Sequence, residues 1–267
     1  MNDTDERISL KDGVLAGALR RPINRAANVK GSIHDDETAT KLGLRGGTVA
    51  GSVHMDLFGP LLMEAFGESW WEKGTLSLYF QNATTDREPV RAFMVPPPAG
   101  ARDAQVDVWV EREDGLRVAE GTASVGSPDE PTALMRKPLD RFDPGELRIL
   151  KDLAPGDPIA ATEGMVTQET VDKHLLTTTD PMDIYRSSKW GKPVVPITSY
   201  VGLFFTQGAA PVRRKLHDVV GLFGAIEIRN INGPLLVDEP YHLSGEIVAL
   251  GQSPKTEYLW FDALASD

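Results

Sequence analysis

The sequence has 267 residues, enough to form one large domain or two smaller ones. Its formal net charge of −11 argues against nucleic acid as the main partner, and the absence of cysteine excludes disulfides and thiolate chemistry. The first ten residues are too acidic and polar for a signal peptide, and no stretch is apolar for long enough to span a membrane. We therefore expect a cytoplasmic protein.

The first informative segment runs from Ile33 to Phe66. It begins with His34 and a run of acidic residues, continues through a glycine cluster, and ends in a mainly apolar run. The apolar residues recur at steps of three and four, which predicts a largely buried helix over about 51–66, with Ser52 near its start as a cap. Taken locally, the same pattern also fits a short acidic helix, a turn and a core helix without any function. Glycines there would let a ligand approach backbone N–H groups.

Four strands are predicted after this helix. The residues alternate between apolar and polar and are rich in threonine, valine and aromatic side chains. Asp114-Gly115 lies between the last two runs and is a strong signal for a two-residue hairpin turn. The predicted ranges are 75–85, 90–95, 105–111 and 116–125. This half of the chain is therefore expected to be a helix followed by antiparallel strands.

The segment 126–158 is rich in proline and charge, so we expect a linker, with a short helix at Glu146 to Leu153. A degenerate repeat of the first half follows it. In the first half a hydroxyl residue opens the helix, an asparagine follows, and then a Glu-Pro pair; these are Ser52, Asn82 and Glu88-Pro89. Their counterparts in the second half are Thr198, Asn230 and Glu239-Pro240. The repeat predicts a second central helix over about 197–214, and two domains, 1–130 and 159–267, joined by residues 131–158.

The segment from Ile33 to Gly51 resembles the hydratase segment of MaoC-like proteins, which are similar to (R)-specific enoyl-CoA hydratases. The shared features are Ile-His-Asp-Asp-Glu, Ala39, Leu-Gly-Leu, a glycine pair and Val-Ala-Gly. This resemblance implies an α+β tandem, or double, hot-dog fold, in which antiparallel sheets wrap around long central helices. It also implies that His34 is the catalytic histidine, and that Gly51 lies near the glycine whose N–H polarises the thioester carbonyl.

The sequence departs from the family pattern at two positions in this half. The family aspartate should lie five residues before His34, where Val29 stands, and the histidine of an Ala-His-Gly motif is missing from Ala50-Gly51. In the second half, Asp180 matches the aspartate position, and Tyr185 stands where the histidine should be. Each half therefore carries one member of the family's dyad.

A histidine suits proton transfer near neutral pH, and adjacent acids can raise its pKa or hold its ring. The acids could equally be first-turn residues that complement a helix dipole. The candidate catalytic residues are His34, Asp36 and Asp35. The candidate substrate-binding residues are Gly47, Ala50, Gly51, Ser52, Asp180 and Tyr185. We expect His54 to be a core residue. The remaining histidines, His174, His217 and His242, show no metal-ligand spacing, so neither a metal nor a cofactor is predicted.

Three functions fit these residues. The first is a hydratase or dehydratase, a lyase, that acts on a small-molecule acyl thioester, expected to be linked to coenzyme A. The second is a hot-dog thioesterase, and the third is a non-catalytic acyl-thioester binder or structural partner of a related chain. The resemblance also implies a homodimer or a pairing with a related hot-dog chain. Neither nucleic acid nor a membrane is expected as a partner.

Overall fold

The protein is described by a computed structural model over residues 7–137, 143–216 and 219–267. His217 and part of the predicted linker lie outside these residues. Within the described ranges, no helix is both long and apolar enough to cross a membrane.

The first half contains six strands that form one antiparallel sheet. Val90–Met94 pairs with the strand after it, where alternating residues predicted strands, and the long hairpin that follows turns at Asp114-Gly115, with Gly115 at φ +81°. The strand bounds are β1 Ser9–Lys11, β2 Val14–Ala16, β3 Gly74–Phe80, β4 Val90–Met94, β5 Ala104–Arg112 and β6 Arg117–Val125. The order across the sheet is β1-β2-β4-β5-β6-β3.

The central helix of the first half covers the predicted range. A 3-10 helix, Gly51–Phe58, continues directly into the α-helix α2, Gly59–Phe66. Short helices flank it, α1 Asp36–Lys41 before and α3 Ser69–Lys73 after. The helix cap differs from the prediction. Ala50 is the N-cap because its backbone is extended, at φ −61° and ψ 134°, so Ser52 lies inside the first turn.

The second half repeats this plan with fewer strands. Its central helix consists of α5 Ile197–Val201, a π-helical segment Gly202–Gly208, and α6 Ala210–Arg213. The other elements are β7 Pro158–Gly164, α4 Gln168–Leu175, a 3-10 turn Asp183–Tyr185, β8 Ala225–Arg229, β9 Tyr241–Gln252 and β10 Glu257–Ser266. A separate sheet has the order β10-β9-β7.

The helix predicted for Glu146 to Leu153 is wrong. The Glu257 carboxylate accepts hydrogen bonds from the backbone N–H groups of Arg148, Ile149 and Leu150, at 2.8, 2.9 and 2.9 Å. These three consecutive N–H groups converge on one acid of β10, and the backbone forms bends and turns there instead of a helix.

The two halves pack side by side and share one core. β8 pairs antiparallel with β3, so it extends the first sheet to seven strands. The main core includes side chains of both central helices, such as Leu61, Leu62 and Ile197, together with the buried Trp70 and Trp71. Burial of these large apolar surfaces is what holds the two units together.

Backbone geometry confirms the internal repeat more firmly than residue identity does. Arg87 and Asp238 both adopt left-handed backbone, at φ 57° and φ 55°, directly before the Glu-Pro pair of their own half. Non-glycine residues rarely adopt this conformation. The strands after these pairs, β4 and β9, are therefore equivalent, and so are their neighbours β5 and β10.

Candidate functional site

His34 lies in a loop that is tied to the start of the first central helix. Its Nδ1 atom is 2.7 Å from the carbonyl oxygen of Thr48. A carbonyl can only accept, so Nδ1 carries the proton and Nε2 of the neutral ring holds a free electron pair. The backbone N–H of Thr48 in turn donates to the carbonyl of Ile33 at 2.9 Å. The half-buried ring is therefore held with Nε2 as its basic nitrogen.

The two acids after His34 are engaged elsewhere. Asp35 is the N-cap of α1, where it accepts from the Thr38 hydroxyl at 2.8 Å, and it pairs with Lys30 at 2.7 Å. The Lys30 ammonium and the Thr38 bonds lower the pKa of Asp35 to about 2. Asp36 is exposed and accepts from the N–H of Gly47 at 2.6 Å. These contacts position the loop, and within the described residues neither carboxylate is hydrogen-bonded to His34.

The glycine positions are shaped by close neighbours. A Cβ atom at Gly47 would overlap the carbonyl oxygen of His34, so only glycine fits beneath the histidine. A Cβ atom at Gly51 would lie 3.1 Å from the ring of Phe80. The helix that begins after Ala50 has no side-chain cap, and the first N–H groups of a helix have no partner within the helix. They are free to bind an oxygen that carries negative charge.

The second half contains an equivalent loop with different chemistry. The N–H of Val194 donates to the carbonyl of Ile184 at 2.9 Å, just as Thr48 does to Ile33. Tyr185 therefore occupies the place of His34, as the sequence repeat predicts. Its side chain is 1% exposed, and its hydroxyl has no hydrogen-bond partner within the described residues. Burial, with Asp56 nearby, raises the pKa of Tyr185 well above its usual value, so it stays neutral.

The starts of the two central helices differ in one decisive contact. The carboxylate of Asp56, in the first central helix, accepts from the N–H of Thr198 at 2.9 Å and so occupies the start of the second helix. Thr198 and Ser52 are equivalent in the repeat, and counting four residues on makes Gly202 the equivalent of Asp56. Gly202 has no side chain that could cap the first helix in return. Within the described residues, no carboxylate therefore caps the start of the first helix.

Asp180 lines a cavity of about 320 Å³ between the two halves. Its carboxylate accepts from Arg20 Nε and from the Thr179 hydroxyl, both at 2.9 Å. Burial raises the pKa of Asp180, and the charge of Arg20 opposes this rise. Leu57 and Pro60 of the first central helix supply apolar wall. The cavity therefore combines an apolar surface with one partly buried ion pair.

A second buried polar cluster lies nearby and was not predicted from the sequence. Arg25 donates to His174 Nδ1 at 2.8 Å, which makes Nδ1 the acceptor and places the proton of the neutral ring on Nε2. His174 Nε2 lies 2.9 Å from Asp56 Oδ2, although the angle is poor for a hydrogen bond. Asp56 could have been noticed as an acid in the mainly apolar segment Gly51–Phe58. Its partners could not, because they lie more than 100 residues away.

One short segment, residues 20–25, connects the His34 loop with Asp180 and His174 of the second half. Arg20 pairs with Asp180, Asn24 donates to the carbonyl of His34 at 2.8 Å, and Arg25 donates to His174. The segment 20–25 thus fixes the His34 loop relative to the second half. No hydrogen bond or ion pair links His34 to Asp180 or Tyr185 in the described part of the chain.

The other histidines that the structure describes are not grouped as metal ligands. His54 is 1% exposed and its Nε2 lies 2.9 Å from the hydroxyl of Thr84, as expected of a core histidine. His242 is exposed, with Glu163 at 3.4 Å. Across residues 7–137, 143–216 and 219–267, no group of three or more His, Asp or Glu side chains is placed to hold a metal ion.

Comparison with known proteins gives likeness in structure only. No protein-family model and no curated protein matches the chain. A structure of a MaoC domain dehydratase from Chloroflexus aurantiacus is 13% identical, with a TM-score of 0.57 and coverage of 99% of this chain and 90% of that one. Full-length peroxisomal multifunctional enzyme type 2 from Drosophila melanogaster is 13% identical, with a TM-score of 0.51 over 95% of this chain and 46% of that one.

A Mycobacterium tuberculosis protein described as having a double hotdog fold is 12% identical, with a TM-score of 0.50 and coverage of 94% and 90%. At such low identity the likeness shows the fold. This chain has the α+β double hot-dog fold that MaoC-like dehydratases adopt, which confirms the fold that the resemblance implied.

Proposed function

We propose that the protein is a hydratase or dehydratase that acts on an acyl thioester, with His34 as the proton-transferring residue. The observation that carries the proposal is the Nδ1 contact between His34 and the Thr48 carbonyl, at 2.7 Å. It leaves Nε2 as the basic atom of a half-buried ring. The fold shared with MaoC-like dehydratases supports the same reaction class.

The reaction adds water across the double bond of a 2-enoyl thioester. His34 Nε2 takes a proton from water, the hydroxyl oxygen bonds to C3, and the electron pair of the double bond moves toward the thioester carbonyl. The proton carried by His34 then passes to C2, and dehydration is the reverse. The negative charge that develops on the carbonyl oxygen is stabilised by the uncapped N–H groups at Gly51 and Ser52.

In this proposal the other candidate residues bind the substrate or position His34. Asp35 and Asp36 hold the loop of His34 through the cap of α1 and the N–H of Gly47. Ala50, as the N-cap, adjoins the N–H groups that we assign to the thioester carbonyl, whereas Gly47 is buried beneath His34 and positions it. Asp180 and Tyr185 belong to the second half, where Asp180 lines the cavity that we assign to the acyl chain. We propose coenzyme A as the carrier.

A non-catalytic acyl-thioester binder is the alternative, and one observation favours it. Val29 stands where the family has its aspartate, and the nearby acids are engaged with Lys30 and Gly47 instead of His34. Such a protein would bind the thioester at the same helix start, alone or paired with a related hot-dog chain, without turnover.

The test is incubation with a short trans-2-enoyl-coenzyme A. Loss of the conjugated double bond without release of free thiol supports the hydratase, thiol release indicates a thioesterase, and binding without turnover indicates the binder. His34→Ala should lower turnover by roughly 10²–10⁴-fold, and His34→Gln nearly as much, because the amide cannot exchange a proton in this pH range. His242→Ala is the matched control, since that histidine is exposed and bonded only to Glu163 among the described residues.

A second variant tests the location of the carbonyl. Gly202→Asp would place a carboxylate at the position that the repeat makes equivalent to Asp56, and we expect it to reach the first helix start as Asp56 reaches Thr198. It should raise KM by occupying the N–H groups, whereas Gly202→Ala should leave KM unchanged. Nothing lies within 4 Å of a Cβ atom built at Gly202, so the added Cβ meets no neighbour in either variant. Equal KM values for the two variants would refute this location.

A further inference from the structure

The cavity between the two halves has one charged pair in otherwise uncharged walls. Its volume of about 320 Å³ lies at the lower end of the range for small-molecule sites. Among the described residues that line it, Arg20 and Asp180 are the charged ones. The uncharged residues that line it are Ile8, Gly17, Ala18, Leu57, Pro60 and Pro181. A chain that enters this cavity therefore meets mainly small or apolar residues and one ion pair.

The pair uses only part of the bonding capacity of its two groups. Asp180 Oδ1 accepts from Arg20 Nε, and Asp180 Oδ2 accepts from the Thr179 hydroxyl, both at 2.9 Å. In the described part of the chain, Nε is the only guanidinium atom of Arg20 with a hydrogen-bond partner, so both terminal amino groups keep their N–H donors. A carboxylate offers about four lone pairs, and the two contacts leave some of these unused.

A purely structural role accounts poorly for this geometry. Arginine and carboxylate groups frequently pair through two parallel N–H bonds, whereas a single bond joins Arg20 to Asp180. The Asp180 side chain is 7% exposed and that of Arg20 is 26% exposed, so the acid is buried and the guanidinium is partly open. A plain hydrocarbon chain in the cavity would desolvate both groups without giving them a partner, which costs free energy. The pair therefore selects against a ligand that is apolar throughout.

The unused donors and acceptors specify the chemical group that fits beside the pair. A hydroxyl has one O–H donor and two acceptor lone pairs, so it can donate to Asp180 and accept from Arg20 simultaneously. A carboxylate can only accept, and its negative charge would lie next to the buried Asp180 carboxylate. A methyl group has neither donor nor acceptor. A neutral hydroxyl therefore satisfies both residues without adding charge to the cavity.

The position of the cavity sets how far this hydroxyl lies from the thioester. Under the function proposed above, the thioester carbonyl binds at Gly51, where the first central helix begins. Leu57 lines the cavity and lies about 12 Å further along the same 3-10 helix, at about 2.0 Å per residue. An extended chain covers about 1.2 Å per bond, so roughly ten bonds separate the two points.

We propose that the acyl substrate carries a hydroxyl group near its far end, roughly ten bonds from the thioester carbonyl, and that Arg20 and Asp180 recognise it. The inference rests on the proposed function, because the bound thioester brings the acyl chain to the cavity. A terminal amino group of Arg20 donates to the hydroxyl oxygen, and the Asp180 carboxylate accepts a hydrogen bond from the hydroxyl. Both residues determine specificity, and neither takes part in proton transfer at His34.

The test compares three saturated acyl-coenzyme A esters, which bind without turnover. The first is ω-hydroxydecanoyl-coenzyme A; undecanoyl-coenzyme A replaces its hydroxyl with a methyl group, and undecanedioyl-coenzyme A replaces it with a carboxylate. Calorimetry with the full chain should give a dissociation constant roughly tenfold lower for the hydroxy ester than for either of the others. The methyl NMR signals of Ala18 and Leu57 should shift when the hydroxy ester binds, which locates its chain in the cavity.

A double variant assigns this preference to the ion pair. Arg20→Met combined with Asp180→Leu replaces the pair with apolar side chains, a change that buried ion pairs often tolerate. The methyl ester should then bind more tightly than the hydroxy ester. Glu169→Leu combined with Lys173→Met is the matched control, because it removes an exposed ion pair of α4 and should leave the preference unchanged. The wild-type comparison needs no variant, so the test stands even where the double variant does not fold.

Three binding results would overturn the inference. The first is equal or tighter binding of the methyl ester by the wild type, since water alone would then satisfy the pair. The second is tighter binding of the carboxylate ester, which would identify a dicarboxylic acyl group. The third is a hydroxyl preference that survives in the Arg20 and Asp180 double variant. Absence of binding by all three esters would overturn the inference together with thioester binding itself.

Turnover separates this inference from the proposed function. The same hydroxy and methyl chains are prepared with a trans double bond at C2 and assayed for hydration. Hydration of both without a hydroxyl preference would refute the inference and leave the hydratase standing. Tighter binding of the hydroxy ester without any turnover would refute the hydratase and leave the inference standing.

Discussion

His54 is expected to make the protein lose stability in mild acid. Its ring is 1% exposed, one nitrogen lies 2.9 Å from the Thr84 hydroxyl, and Nδ1 has no partner within the described residues. A protonated ring would therefore bury an unpaired N–H together with a charge. Burial lowers the pKa of His54 from 6.5 to about 4, and the charge of Glu88 opposes this shift only weakly.

The direction and size of this stability change follow from the linkage between proton binding and folding. The unfolded state binds a proton below pH 6.5, whereas the folded state does so only below about 4, so stability falls as the pH falls between these values. A shift of this size corresponds to about 3 kcal/mol in total, of which about 2 kcal/mol should be lost between pH 7.5 and pH 5.

The assay is urea unfolding at several pH values for the wild type and for His54→Gln. The amide keeps a hydrogen-bonding group near Thr84 but does not titrate in this range. The variant will be less stable at pH 7.5, but its stability should fall by about 2 kcal/mol less on going to pH 5. Parallel pH dependence in the two proteins would refute the argument that His54 is held neutral by burial.

Three further predictions concern the loop of His34 and Glu257 of β10. Asp35→Ala should reduce the free energy of unfolding by about 1 kcal/mol through loss of the α1 cap, and Asp35→Asn should recover most of it in the same urea assay. Gly47→Ala should destabilise the protein and displace His34, since its Cβ would overlap the His34 carbonyl, whereas Gly202→Ala should not; thermal unfolding and the histidine NMR signal would show the difference. Glu257→Gln should lower the melting temperature and speed hydrogen exchange at residues 148–150, because an amide is a weaker acceptor for three N–H groups than a carboxylate. Unchanged exchange at those residues would contradict the contact.

The sequence by itself determined the local architecture. Apolar residues that recur every three or four positions predicted the central helix over about 51–66. The observed helical segments run from Gly51 to Phe66. Alternating residues located β4, β5 and β6 to within one or two residues, and Asp114-Gly115 located their hairpin. These features depend on neighbours in the chain, so composition and spacing were sufficient. The repeat of Glu-Pro pairs also predicted the two-unit plan.

Only the tertiary structure determined which residues contact one another in the candidate site. The catalytic roles of His34, Asp35 and Asp36 stay predictions, but their contacts depend on Thr48, Lys30 and Gly47 in ways that spacing alone did not reveal. The same is true of the bend at residues 146–153, where an acid of β10 overrides a helical sequence pattern.

The difference between the two helix starts is the clearest case. Pro196 precedes the second helix and offers no N–H, so we expect that start to hold a carbonyl less well. The stronger reason is Asp56, which caps Thr198 across 142 residues of sequence. A hydrogen bond of this kind forms only because the two central helices pack against each other. Its partner cannot be read from local periodicity, which carries no information on contacts between distant segments.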